Sequence, residues 1–541
     1  MAELNLKQIT DKLNAEFVGD TRKLVFWYDD KSEFAEDIDL LELTNAKVYH
    51  LKPDNQLYTK YFLERQDRTT NYLIYAPFSK PPIRDNHLED TLLYSKRFFA
   101  DRASLLTVDL GIDAQYKPII QKYIKFFRAK DRTQRFYNLE IENFTRDTIE
   151  IALMSALCKT RTASFEEVVC VILTDGELED NKFLAEFDKY DLIPAFWRLC
   201  EQQFGYNDMK PTLEKLVVVL FITYTERSIH EEVPDAWKSF VSYKSGNIIA
   251  FLDNLMNNLL YRDRYNELSD YIARVLNVSA VFKSYVPEAL LNCDTFAVID
   301  SFIVGWIRER LLAEDTGAKL EGMTIPEVCQ KRSKMHFGQD YREQYQLLER
   351  AFFLIQAANY KCPDDFKEII DQYRSSDCLI DTAYRIFYYW FDQLTDNVAF
   401  EHLRDLVENI YTSEYLSEVI PKWNAGLINE EAMTVLPLQR NFYSRYIRNC
   451  KERVVVIISD AMRYETGRSL WAKLQDDVKC SAKLEAMLSV LPSYTSLGMA
   501  ALLPHKSLEM TDDFHVLADS LACDDLKQRG AIMQSYNPNS R

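Results

Sequence analysis

The first hundred residues place their hydrophobic positions in short runs. KLVFWYDD (23–30), AKVYHL (46–51) and NYLIYAPF (71–78) are rich in β-branched and aromatic residues and are separated by stretches with helical spacing. SLLTVDLG (104–111) reads as a further short strand. Strands alternating with helices predict a small parallel, Rossmann-like α/β domain over residues 1–112. Asp29 and Asp30 end the first strand, at the carboxyl edge of the expected sheet. They read either as turn and cap residues or as a phospho-acceptor or metal site, and no Gly-rich phosphate loop follows them.

The pattern then changes to helix after helix, which predicts an all-helical region over residues 113–450, divisible into two subdomains. Ser164 with Glu167, and Thr324 with Glu327, have the spacing of helix N-terminal capping boxes. Lys244–Gly246 and Gly317–Gly322 are the expected loops or linkers. Lys117–Arg135 carries seven Lys or Arg against the single acid Asp131, with Ile120, Tyr123, Ile124 and Phe127 at helical spacing. One face can therefore pack inward; the other is either a solvated surface or a contact for nucleic-acid phosphates through Lys122, Lys125 and Arg128. Five adjacent aromatics, Phe387–Phe391, point in several directions around a helix, so core packing accounts for at least some of them.

Near the C-terminus, RVVVIISDAMRYETG (453–467) opens with five β-branched residues, Val454–Ile458, and predicts a buried strand of a parallel sheet. Asp460 follows the strand, at the edge where ligands of open α/β sheets collect. LPSYTSLGMAALLPH (491–505) puts Thr495 and Ser496 at the start of another helix. An acid at a strand end and a hydroxyl at a helix start read either as helix caps or as a phosphate-handling site. The fold class is thus α/β plus α: an N-terminal α/β domain, a large helical middle, and the beginning of a second α/β domain over 451–541.

Composition narrows the function classes. A net charge of −18 excludes a surface that binds polyanions throughout, so any contact with DNA has to be local. The ten cysteines form no CxxC pair and mostly lie in apolar contexts, as buried free thiols of a reducing compartment do. The N-terminus lacks the apolar core of a signal peptide, and the longest apolar run, Leu216–Tyr224, is less than half the ~20 residues of a membrane span. A cytoplasmic protein with no membrane association is expected.

Other phosphate-handling motifs do not fit. There is no GxxxxGK[ST] and no GxSxG, and Met462 stands where a haloacid-dehalogenase-like site needs its second Asp. VVVIISDAMRYETG together with LPSYTSLGMAALLPH resembles the opening of an alkaline-phosphatase-superfamily domain, and more narrowly the PglZ proteins of BREX phage-defence systems. The resemblance implies that Asp460 binds a divalent metal, usually zinc and one of two ions, and that Thr495 binds metal and attacks phosphorus, with Ser496 the alternative nucleophile. Arg463, soon after Asp460, would reach a phosphate oxygen or make an ordinary salt bridge.

It further implies a metal-dependent phosphohydrolase or phosphodiesterase, acting on nucleic acid and working with other BREX proteins. The competing reading is a non-catalytic module that assembles those proteins. Two departures stand out: Ala461 occupies a place where the superfamily often has Gly, and Pro504-His505 one where it often has Thr-Gly. Such domains also carry later Asp and His ligands, including Asp-His pairs, whereas after Thr495 only His505 and His515 remain and neither directly follows an Asp. A C-terminally truncated chain with an incomplete metal site and little activity of its own is expected.

Overall fold

The computed structural model describes residues 2–428 and 435–540, and contacts divide the chain into two units. One comprises residues 1–227 and 232–277, the other 228–231 and 278–541.

The first unit begins with a four-stranded, all-parallel sheet: β1 (Leu24–Tyr28), β2 (Lys47–His50), β3 (Tyr72–Ala76) and β4 (Lys96–Phe98), in the order β2-β3-β1-β4. Alternate residues of β1 face opposite ways, and both faces are apolar. Val25 and Trp27 pack with Ile9, Leu13, Phe17 and Leu105, while Leu24 and Phe26 pack with Leu51, Leu63, Leu88 and Leu92. A parallel sheet covered on both sides needs this double burial.

The fourth strand is not the expected one. All but the last two residues of SLLTVDLG lie in the helix Arg102–Asp109, because Asp101 caps it by accepting from the Ser104 N–H at 3.1 Å, which commits the following residues to a helical turn. Asp29 is buried, and its Oδ2 accepts from the Phe34 N–H (2.8 Å) and the Tyr75 hydroxyl (2.6 Å), so this carboxylate closes a turn at the sheet edge.

Helices follow. The basic segment breaks into the helix Lys117–Lys122, a 3-10 turn Phe126–Arg128 and the helix Lys130–Tyr137, with Ile120, Tyr123, Phe126 and Phe127 buried. Lys244–Gly246 is the entrance to the helix Ser245–Asn257 rather than a linker, since Lys244 is its cap residue. The apolar run 216–224 is the buried middle of the helix Leu213–Ser228, and no helix among the described residues is long and apolar enough to cross a membrane. Cysteines of this unit are free and buried, and burial pushes the Cys158 and Cys170 thiols up to about 12.

The second unit continues the helical region. Gly322, at φ +79°, turns a short hairpin between Lys319–Leu320 and Met323–Thr324, and Thr324 with Glu327 forms the expected capping box. Arg332 and Asp300 are fully buried and joined by two hydrogen bonds, Nε to Oδ1 at 2.9 Å and Nη2 to Oδ2 at 2.6 Å. Phe387 and Phe391 are in the core, whereas Tyr389 is exposed.

Tyrosine hydroxyls repeatedly donate to carboxylates in both units. Examples are Tyr123 to Glu150 (2.6 Å), Tyr224 to Asp253 (2.6 Å) and Tyr271 to Glu214 (2.5 Å) in the first. In the second, Tyr345 donates to Asp300 (2.5 Å), Tyr373 to Asp381 (2.6 Å), and Tyr384 and Tyr388 to Glu408 (2.7 and 2.6 Å). Two π-helical turns, Tyr373–Asp377 and Ile410–Leu416, bring Tyr373 and Tyr411 onto opposite oxygens of Asp381.

The C-terminal segment differs from expectation at its start. Val454–Ile458 forms no strand or helix and pairs with no strand among the described residues, and it is exposed, to 73% at Val455 and 89% at Ile457. Its two-residue alternation persists, with Val454, Val456 and Ile458 half as exposed as Ile457. A strand is defined by hydrogen bonds to a neighbour, and β-branching favours a strand without supplying that neighbour. Further on, Leu497, Ala500, Val516, Ala518, Cys523 and Ile532 form a small core around an antiparallel sheet of Leu508–Met510, Val516–Ala518 and Leu521–Ala522.

Candidate active site

Asp460 follows the exposed run Val454–Ser459, three residues before the cap of the helix Tyr464–Gln475. Its Oδ1 accepts from the Ala461 N–H at 3.0 Å, and Ala461 turns the chain at φ +55°, in the left-handed region that favours glycine. Asp460 does not cap the helix; Arg463 occupies that position, without a side-chain capping bond.

The helix after this turn is fixed by residues the sequence did not single out. Glu465 is buried and accepts from Arg385 (Nε and Nη2, each 2.9 Å) and from Thr382 (3.2 Å). Burial pushes its carboxyl upward, but Arg385, Thr466 and Thr382 together hold it below the usual range. Arg468 donates to the carbonyls of Arg374 (2.9 Å) and Ser375 (3.0 Å), in the first π-helical turn. Glu465→Ala is expected to lose roughly 1.5–3 kcal/mol, the worth of hydrogen bonds to a charged group, and to loosen the helix Tyr464–Gln475 first. Chemical denaturation with hydrogen exchange on that helix checks this; Arg385 is half exposed and rehydrates, which limits the loss.

Arg463 is exposed, and its charge acts on Asp381 and Tyr411. Burial raises the Asp381 carboxyl, and the bonds from Tyr373 and Tyr411 and the Arg463 charge oppose that rise.

Thr495 is the first residue of the helix Thr495–Ala501, as expected, and Tyr494 is the cap residue. No side chain caps this helix. Thr495 is exposed, Ser496 is half-buried, and among the described residues neither hydroxyl has a hydrogen-bond partner. The turn before the helix borders a cavity of about 580 Å³ lined by Trp423, Leu438, Leu488, Pro492 and Leu497, with Arg440, His505 and Lys506 among its polar groups. His505 uses Nδ1 to donate to the Leu503 carbonyl (2.7 Å), and His515 pairs with Asp524 (3.1 Å). Among the described residues no three His, Cys, Asp or Glu side chains are grouped to hold a metal ion.

Lys122, Lys125 and Arg128 are exposed, but Lys122 already donates to the Tyr123 hydroxyl (2.7 Å) and lies 3.9 Å from the buried Glu150. Lys125 and Arg128 make no ion pair among the described residues.

Asp460 and Thr495 both fall within residues 441–540, which match the family model for the BREX system PglZ alkaline phosphatase-like domain. Almost the whole chain is also 32% identical to an alkaline phosphatase-like protein PglZ of Bacillus cereus (strain H3081.97), over 99% of this chain and 64% of that protein. It is 28% identical to an alkaline phosphatase-like protein BrxZ of Escherichia coli O9:H4 (strain HS), over 97% of this chain and 64% of that one. The resemblance suggested by the two motifs thus extends along almost the whole chain: it is similar to alkaline phosphatase-like PglZ and BrxZ proteins, and it spans 64% of the length of both relatives. No solved structure matches it.

Proposed function

We propose that this chain supplies the first metal ligand and the nucleophile of a metal-dependent phosphohydrolase or phosphodiesterase of a BREX phage-defence assembly, acting on nucleic acid. The observation that carries this reading is that Asp460 and Thr495, both of residue types suited to helix capping, are exposed and cap nothing. The Thr495 hydroxyl attacks phosphorus, its proton leaves with the departing alcohol, and water then hydrolyses the threonine ester, releasing the phosphomonoester from a diester (phosphate from a monoester) and restoring the hydroxyl. Ser496 and Arg463 are the candidate phosphate contacts.

The residues described do not by themselves fit a zinc pair. One carboxylate and one hydroxyl fall short of the four donors of a usual zinc site, and no cluster of further donors accompanies them. The 541-residue chain is therefore expected to hydrolyse little alone. A zinc- or manganese-dependent phosphodiester assay of the full-length protein and of this chain, each with and without Asp460→Ala, tests the reading. Activity confined to the full-length protein and lost with Asp460→Ala supports it; activity indifferent to Asp460→Ala overturns it.

DNA contact through the basic segment rests on Lys125 and Arg128, whose charges have no ion-pair partner among the described residues. Replacing Lys122, Lys125 and Arg128 with Glu is expected to weaken DNA binding at least ~10-fold and to flatten its salt dependence. Binding titrations at two salt concentrations check this, and unchanged, salt-insensitive binding removes the idea.

A scaffold role in holding other BREX proteins is favoured by Leu57, Tyr58 and Tyr61, exposed on one short helix of the N-terminal domain. Retention of those proteins by the chain in a pull-down, reduced when the three are replaced with Ser, tests that role.

A further inference from the structure

Gln439 lies outside both motifs, yet it binds the segment that presents Thr495 at two points. Its backbone N–H donates to the Leu488 carbonyl (2.9 Å), and the Leu488 N–H donates to the Pro437 carbonyl (2.8 Å), a short parallel bridge that sets the two chains side by side. The side-chain amide then spans the following turn. Oε1 accepts from the Val490 N–H (3.1 Å), and Nε2 donates to the Gly498 carbonyl (3.1 Å). A backbone N–H can only donate and a carbonyl only accept, so one amide orientation satisfies both ends. Residues 490–498 are thereby closed into a loop with Thr495 within it, and Gly498 is also tied back to the Tyr494 carbonyl (2.9 Å).

We propose that Gln439 is a positioning residue that fixes the hydroxyl-bearing turn of Val490–Gly498, and hence the direction in which Thr495 is offered to a phosphate. The physical case is one of pre-organisation. An exposed turn with no hydroxyl bonds of its own samples many conformations, and a nucleophile about 1 Å out of place can cost on the order of 100-fold in rate. A single amide holding both ends of the loop narrows that range, and no apolar or shorter side chain reproduces a donor and an acceptor at this span.

This rests on Thr495 being the nucleophile, so the experiment has two arms. In the first, hydrogen exchange is followed over residues 488–499 of this chain for wild type, Gln439→Met and Gln439→Glu, with thermal melts to confirm that each variant folds. Met removes both bonds at nearly constant size; Glu keeps the acceptor for Val490 but has no donor for Gly498. Faster exchange across 490–498 is expected in Gln439→Met, with Val490 alone still protected in Gln439→Glu. Exchange unchanged in Gln439→Met overturns the clamp whatever the activity shows.

The second arm measures hydrolysis by the full-length protein. Gln439→Met is expected to lower kcat at least ~10-fold with KM within about twofold, and Gln439→Glu to fall between it and wild type. Loosened exchange with unchanged kcat overturns the positioning role. Loosened exchange in Gln439→Met together with a full-length wild type that hydrolyses nothing marks failure of the hydrolase reading, and the positioning role falls with it.

Discussion

Thr495→Ala in the full-length protein is expected to reduce phosphodiester hydrolysis by at least ~1000-fold, with Thr495→Ser retaining a measurable fraction. Removing a nucleophile removes the bond-forming atom, and losses of this size or larger are usual when the other catalytic groups cannot replace it. The neighbouring hydroxyl makes the test sharper. Ser496 follows directly in the same first helical turn and is half-buried. If Ser496→Ala alone abolishes activity while Thr495→Ala is mild, the roles are exchanged. Neither change should disturb folding, because neither hydroxyl is bonded among the described residues; equal melting temperatures for the three variants and wild type would confirm that the loss is chemical.

The largest stability effect is expected at Arg332. Arg332→Met leaves the Asp300 carboxylate fully buried beside the Tyr345 hydroxyl alone, where burial already pushes the carboxyl above its usual range. Breaking one side of a buried pair in this way costs about 3–5 kcal/mol. The guanidinium also donates to the carbonyls of Leu291 (3.2 Å) and Cys293 (2.8 Å), so its loss strips two more partners from the surrounding backbone. Adding Asp300→Leu should recover a large part of the loss, because the stranded charge goes with it. Urea denaturation followed by exchange within residues 278–428 is the appropriate readout, since a chain of two units need not unfold in one step. A shift below about 1 kcal/mol for Arg332→Met would show that water reaches Asp300.

Local pattern made some features legible and hid others. β1, β2 and β3 were readable because strings such as LVFWY and YLIYA have few alternatives to a buried parallel strand. β4, with the sequence KRF, carries no such signal; its strand state comes from pairing with β1. The 104–111 segment shows the reverse, where β-branched residues were overruled by one capping aspartate. Thr495 as a helix start was legible from Pro492 and the hydroxyl run alone. Val454–Ile458 has a strand's sequence but no strand partner among the described residues, since a sheet is made by residues distant in sequence. Glu465 and Gln439 could not be found by pattern, because each acquires its role only from residues that the fold brings beside it: Arg385 for one, Val490 and Gly498 for the other.

The tyrosine-to-carboxylate bonds bear on how this acidic protein behaves in alkali. A phenol that donates to an acid must stay protonated, so its ionisation is delayed: Tyr271 is pushed up to about 12 by its bond to Glu214 and then by burial, and Tyr384 to about 12 by burial and then by Glu408. Unfolded tyrosine ionises near 10. These tethers therefore contribute fully below that value, and their contribution fades as pH rises through the folded values near 12. Followed by the ultraviolet absorbance of tyrosinate, the folded protein should withhold part of its phenols from base and release them together on unfolding; a titration that follows free tyrosine throughout would mean that the tethers do not persist in solution. With a net charge of −18, the chain would owe part of its cohesion to phenols that bind acids without adding a positive charge.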